Sequence, residues 1–168
     1  MDNNIDILDR IIIGRVEPHI YAFTTNTVPN YLKVGDTYRP VSKRLKEWKE
    51  FFPELQKQYE NKAIIDEDTY FRDYSIHQYL ESDLEKRRLI PTDLPEGDYY
   101  SKEFFKDTET VDIDSAIEDI KNNYIENTGK YEYYSSNNRL PQVYHYKRGE
   151  AWITKYRTYL CLPAMKVY

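Results

Sequence analysis

An arginine stands inside what reads as the buried stripe of a helix. Val41, Leu45, Trp48 and, one turn on, Phe52 recur at intervals of four, three and four, the spacing of one helical face. Arg44 falls on the same face. A guanidinium beside a core must lift its head to solvent, pair with a carboxylate or hold an anion. A phosphate suits its planar fork of donors, and that gives a candidate phosphate clamp. Spacing alone leaves the bland and the functional reading open. Asp73 and His77 lie four apart on a second predicted helix and so share a face. A carboxylate and an imidazole at that spacing can share a divalent ion, or simply pair with each other on a helix surface. Tyr21 and Lys33 fall on two neighbouring predicted strands. A free phenol ionises near pH ~10. A nearby cation favours the phenolate, and a strand-borne tyrosine so placed could activate water. The alternative is a half-buried strand tyrosine, a common event in a chain with 18 of them.

These side chains need a scaffold. Residues 18–25 mix aromatic and branched residues and read as a strand. Residues 26–30, with Pro29, read as a turn, and residues 31–36 as a second strand, so the two predict an antiparallel hairpin. Pro40 fits the first position of the helix that carries Arg44, and Pro53 limits that helix. Residues 62–67 predict a third strand and residues 69–82 a second helix. Pro91, Pro95 and Gly97 mark a loop, and residues 100–106 hold a short aromatic element, Glu103-Phe104-Phe105. A last helix is predicted from Asp112 to Glu126, with Ile113, Ala116, Ile117, Ile120 and Tyr124 as its buried stripe and Asp112 or Asp114 as its cap. The expected fold is α/β, a small central antiparallel sheet of about three strands flanked by helices. Residues 1–17 would form a lead-in containing a short helix or strand, residues 18–126 the domain, and residues 127–168 an extension of unassigned role.

Composition sets limits. At 168 residues and 20.3 kDa the chain suits one compact domain with an appendage. Hydrophobic residues at 40% suffice for a core, while 32% charged residues and a mean hydropathy of -0.85 predict a soluble protein. The apolar run Ile11–Ile13 is far too short to span a bilayer, and the acidic N-terminus lacks a secretory core, so no membrane association and a cytoplasmic location are expected. One cysteine, Cys161, permits no intrachain disulfide. His19, His77 and His145 are too scattered to suggest structural zinc. A net charge of -5 argues against nonspecific coating of nucleic acid. Locally the balance reverses. From Lys33 to Lys49, the basic residues Lys33, Arg39, Lys43, Arg44, Lys46 and Lys49 face only Asp36 and Glu47. A solvated helix face explains this as readily as a nucleic-acid patch. The tyrosines after Tyr99 suit stacking on nucleotides or protein contacts, or reflect composition bias.

The order His19-Ile20-Tyr21, Lys33-Val34-Gly35, then Arg44 eleven residues beyond Lys33 resembles the GIY-YIG nuclease pattern. The stretch from Lys33 to Leu45 is similar to the phage-type (T5orf172-like) subgroup, whose second motif commonly reads Lys-Ile-Gly. That subgroup carries Glu, three residues, then His on a helix, where this chain has Asp73 and His77. It also carries a later Glu-Trp-Phe, matched here by Glu103-Phe104-Phe105. The resemblance covers roughly residues 18–106; His19 stands where the pattern has glycine, and Asp73 is one methylene shorter than the family's glutamate.

The resemblance implies a metal-dependent endonuclease hydrolysing DNA phosphodiester bonds. Tyr21 would activate or position water. Lys33 would take the place of the second motif's tyrosine and lower the pKa of Tyr21. Arg44 would stabilise the phosphorane-like transition state, assisted by His77 as a phosphate contact or a support. Asp73 would hold one Mg²⁺ or Mn²⁺. Gly35, by allowing close backbone approach, would bind substrate together with Arg39 and Lys43. DNA is the implied partner, with a helicase or recognition domain as a common companion and a setting in phage biology or restriction. A second reading keeps the fold and the basic stretch but not efficient metal binding, giving a module that binds nucleic acid or a protein.

Overall fold

The computed structural model describes residues 18–66 and 69–135. The expected lead-in over residues 1–17, His145, Cys161 and most of the extension after residue 127 lie outside the described residues. The chain divides into two units. The described part of one is a short antiparallel pair; the other, Pro18–Ile65 with Phe71–Tyr133, carries every candidate site residue.

Strands β1 (His19–Thr24) and β2 (Tyr31–Thr37) form the expected antiparallel hairpin, with Tyr21 opposite Gly35 and Phe23 opposite Lys33. Asn30 turns the chain into β2 with a φ of 70°, a left-handed conformation that asparagine tolerates. Helix α1 (Val41–Trp48) follows and buries Val41, Leu45 and Trp48. Pro40 caps it with extended backbone instead of occupying its first turn, and the helix stops well before Pro53. Phe52 is still buried, because the chain continues in a turn in which its N–H donates to the Trp48 carbonyl at 2.9 Å.

The third strand differs from expectation. Strand β3 runs over Gln56–Lys62, not over the apolar stretch 62–67. Its side chains are nearly all exposed, so no hydrophobic period marks it. Backbone pairing to β1, from Thr24 opposite Gln56 to His19 opposite Lys62, creates it. Lys57, Glu60 and Lys62 leave this outer strand charged, which discourages pairing with other chains. The expected helix over 69–82 is also split. Thr69–Tyr70 form strand β4, and helix α2 begins only at Asp73 and ends at Ser82. Arg72 is extended and offers no cap of its own. The Asp36 carboxylate, reaching across from β2, accepts the Asp73 N–H at 3.0 Å and does the capping instead.

Strand β5 (Phe104–Lys106) pairs with β2 and gives the sheet a fourth strand where about three were expected; the order is β3-β1-β2-β5, antiparallel throughout. Helix α3 (Thr110–Glu126) begins two residues earlier than predicted. Its Asp112 carboxylate accepts the Glu109 N–H at 2.8 Å, and Asn127 closes it in the left-handed region. Ile113, Ala116, Ile117 and Ile120 are buried, whereas Tyr124 is exposed. In the other unit, β4 pairs with β6 (Tyr134–Ser135), and Tyr70 stacks on Tyr134 at 5.5 Å.

The four-stranded sheet is covered on both faces. Ile20, Ala22, Leu32, Val34 and Phe105 pack with Ile76 and Leu80 of α2 and with the α3 stripe. Tyr21, Phe23 and Phe104 point the other way, into Val41, Leu45, Trp48 and Phe52. Burial on both sides is why Ile20 to Phe23 are apolar or aromatic without alternation. Among the described residues no helix is long and apolar enough to cross a membrane.

Candidate active site

Strand alternation aims Tyr21 and Lys33 at helix α1, and helical periodicity aims Arg44 and Trp48 back at them. The Tyr21 hydroxyl accepts the Trp48 indole N–H at 2.7 Å, and the Lys33 ammonium lies 3.5 Å from the same oxygen. The Arg44 guanidinium lies near enough to interact electrostatically with the same phenol. Two donors and a guanidinium thus gather at one phenol. Burial works against the Arg44 charge, but Tyr21 and Glu47 outweigh it and hold the guanidinium above its ordinary range.

Gly35 is what lets this meeting happen. A Cβ there would sit 2.7 Å from the Tyr21 hydroxyl oxygen, 2.9 Å from Tyr21 Cζ and 2.9 Å from Lys33 Nζ. The space that the resemblance reserves for a close approach by substrate is filled by the chain's own side chains.

Lys33 is fully buried, and its ammonium contacts Glu103 Oε1 at 2.7 Å and lies 4.2 Å from the Trp48 ring centre. A buried ammonium without a partner would cost several kcal/mol, on the order of the desolvation of one ion. Burial alone would raise the Glu103 carboxyl, but Lys33 overrides it and holds that carboxyl below the usual carboxylate range. The Glu103 side chain is 28% exposed and that of Arg44 35%, so the cluster reaches solvent through these two.

Glu47 gathers the nearby arginines. It takes Arg39 in a bidentate pair at 2.7 and 2.9 Å and Arg44 at 2.8 Å. Among the described residues, the ion pairs of Lys33, Arg39 and Arg44 go to two carboxylates, Glu103 and Glu47, three cations to two anions. Arg39 supports that balance from within the Glu47 pair, and Lys43 is an exposed residue of α1.

Asp73 opens α2 with its side chain buried, and its Oδ1 has no hydrogen-bond partner. Burial, with Asp36 and Glu103 adding repulsion, pushes its carboxyl up to about 7, while Arg72 and Lys33 pull the other way. Asp36 itself is committed to Arg72, at 2.6 Å from Nε. Among the described residues no three His, Cys, Asp or Glu side chains form a ready set of metal ligands. An orphaned, solvent-shielded carboxylate oxygen is nevertheless a fitting ligand for Mg²⁺, which binds through one or two carboxylates and fills its other positions with water and substrate phosphate.

The surroundings of His77 bear on the two roles the resemblance implies for it, a phosphate contact or a support. It is buried, and its Nε2–H donates to the Val34 carbonyl at 2.8 Å. The ring packs against Phe105, with centres 5.0 Å apart. Burial pushes its pKa down to about 4, so at neutral pH it is uncharged and fastens α2 to β2. A phosphate contact from that nitrogen would require the bond to Val34 to break.

Glu103, Trp48 and Asp36 matter to the site and were not among the candidates. Glu103 is 70 residues from Lys33, and its only sequence signal is the Glu103-Phe104-Phe105 match. Trp48 reads as stripe, although a buried indole N–H always calls for an acceptor. Asp36 reads as one acid in a basic stretch. Comparison with family models, with curated proteins and with solved structures gives no match.

Proposed function

We propose that this chain is a GIY-YIG-type phosphodiesterase acting on DNA. The observation that carries the reading is the phenol oxygen of Tyr21, which accepts from Trp48 and Lys33 with the Arg44 guanidinium acting electrostatically on the same phenol. A fold gains little stability from burying a lysine and part of an arginine around a tyrosine, whereas a hydrolase needs an oxygen surrounded by donors beside an exposed cation. Arg44 reaches solvent and carries its charge at any working pH, so it can hold a non-bridging phosphate oxygen and stabilise the charge that builds on it. Tyr21 orients the attacking water, and Lys33 and Trp48 fix the phenol in place. Asp73 would hold a divalent ion, which when bound supplies charge stabilisation for the leaving oxygen. Glu103 holds the Lys33 ammonium in position. A helicase or recognition module as companion belongs to the same proposal.

The test is nicking of supercoiled plasmid by the full chain with Mg²⁺ or Mn²⁺. Cleavage is expected with at least one ion and is expected to disappear in Arg44→Ala. Absence of cleavage by the native chain with both ions would sink the proposal, and full activity in Arg44→Ala would remove that residue from its role.

A further inference from the structure

Just outside the cluster lies an aromatic surface that neither the fold nor the hydrolytic step uses. Phe51, in the turn after α1, stacks on Tyr99 with ring centres 4.1 Å apart and planes tilted by 25°. Phe51 remains 48% exposed and Tyr99 43%. Both touch Trp48, at 6.2 and 6.1 Å between ring centres. Trp48 in turn donates to Tyr21 and lies under the Arg44 guanidinium, 5.2 Å from its ring centre. One ring thus separates the exposed pair from both the phenol oxygen and the cation. Tyr99 comes from the loop between α2 and β5, 48 positions from Phe51 by residue number, so the pair is a tertiary construction and not a local accident of sequence.

The helix side of the pair favours an anionic occupant, while Glu96 and Asp98 lie exposed on the Tyr99 loop. From Lys43 to Glu50 the charged residues are Lys43, Arg44, Lys46, Glu47, Lys49 and Glu50, four basic and two acidic, and all but Arg44 and Glu47 are exposed. Flat exposed rings beside a basic helix match the two needs of a nucleotide, a π surface for the base and cations for the backbone. A paired base inside a duplex already has both faces covered by its neighbours. Only an unpaired, terminal or displaced base can offer one.

We propose that Phe51 and Tyr99 form a stacking subsite for an unpaired nucleobase next to the phosphate held by Arg44, so that the chain favours single-stranded or locally opened nucleic acid. This inference rests on the phosphodiesterase reading and adds its substrate class.

The experiment is fluorescence anisotropy of the full chain with a short fluorescein-labelled oligothymidylate and with a duplex of equal length, in EDTA so that nothing is cleaved. The native chain is expected to bind the single strand more tightly. The double variant Phe51→Ala/Tyr99→Ala should lose about 5- to 100-fold in single-strand affinity, the effect of losing one stacked base. Duplex affinity should change less than about twofold, because backbone contacts carry it. Phe51→Tyr/Tyr99→Phe, which keeps both rings, should bind like the native chain, and circular dichroism should show all three proteins folded alike.

Equal losses on both probes, or no loss on either, would overturn the stacking subsite. Sedimentation of the native chain as a dimer that the double alanine variant dissolves would assign the pair to a self-interface and overturn it as well. The two proposals fail separately. Plasmid nicking that survives in the native chain while single-strand preference is absent leaves the phosphodiesterase standing and removes the subsite. Binding of neither probe together with no nicking removes both.

Discussion

Against α2 and α3 the sheet presents Ile20, Ala22, Leu32, Val34 and Phe105, all buried and all apolar, and the polar groups there sit at the margin, in the Asp36 cap and the His77 bond to Val34. Against α1 the same two central strands present Tyr21 and Lys33 in an aromatic pack, with Arg44 and Glu103 closing the edge. Both faces are filled, but only one is filled in the way that stability alone would choose. Ile, Ala and Val on the first face bury area and ask for nothing more. Tyr21, Lys33 and Glu103 must each find partners, and the gain over a hydrophobic core of equal volume is small or negative. The contrast separates the part of the molecule that holds the fold from the part that the fold is holding.

Substitutions on the two faces should therefore fail in different ways. The largest effect expected is on chemistry. Arg44→Ala, with its side chain one-third exposed, should leave thermal stability within about 1 kcal/mol while lowering the nicking rate roughly 10²- to 10⁴-fold. A loss of rate that merely tracks unfolded protein would erase the distinction between the faces.

On the opposite face, Ile120→Ala opens a cavity under α3 and should cost about 2–5 kcal/mol in urea unfolding. The nicking rate per folded molecule should stay near native; a selective loss of rate would mean that the aliphatic face does more than support.

Asp73 and His77 sharpen the comparison through pH, since burial shifts them in opposite directions. The folded Asp73 carboxyl titrates at about 7 against an ordinary value of 3.8, so between those values the folded state binds a proton that the unfolded chain does not. Its ionised form at pH 8 is a net cost that is relieved as pH falls through 7. Asp73→Asn should accordingly stabilise the chain at pH 8, by on the order of 2 kcal/mol after allowance for the new amide's own needs, while abolishing metal-dependent nicking. The folded His77 titrates at about 4 against 6.5, so the unfolded chain takes the proton first and stability is lost as pH falls from 6.5 through 4. In Asp73→Asn nothing from position 73 offsets that loss, and its acid unfolding should be steeper than that of the native chain when followed by circular dichroism from pH 8 to pH 4. Parallel curves would mean that Asp73 is ionised without penalty.

Gly35→Ala should cost about 1–3 kcal/mol by urea titration, since one methyl group must push aside the Tyr21 ring and the Lys33 ammonium. Activity should fall further than stability, because the atoms displaced are those proposed to act. Unchanged activity would show that the Tyr21–Lys33 spacing is not part of the mechanism.

Much of this was legible from local pattern. The hairpin, the Arg44 helix and the α3 stripe follow from short-range rules of turn chemistry and periodicity, and each formed within a few residues of expectation. Arg44 was visible because it breaks a stripe, and Tyr21, Lys33 and Gly35 because the resemblance names them. Strand β3 was not legible. An exposed edge strand owes its existence to a neighbour's unpaired backbone, and QKQYENK carries no trace of that neighbour. The start of α2 was misread for a related reason, since its cap comes from Asp36 in another strand and not from the residue before the helix.

What the sequence determined by itself is the parts list: a hairpin that must turn near Pro29, a helix with an arginine in its stripe, and a glycine two residues after a lysine. The tertiary structure decided their meaning. Only the pairing of β2 with β5 brings Glu103 to Lys33, only packing of α1 on the sheet brings the Trp48 N–H and Arg44 to Tyr21, and only burial pushes Asp73 up and His77 down. Charge interactions and desolvation depend on distance and on the exclusion of water, and neither is set until the chain has closed on itself.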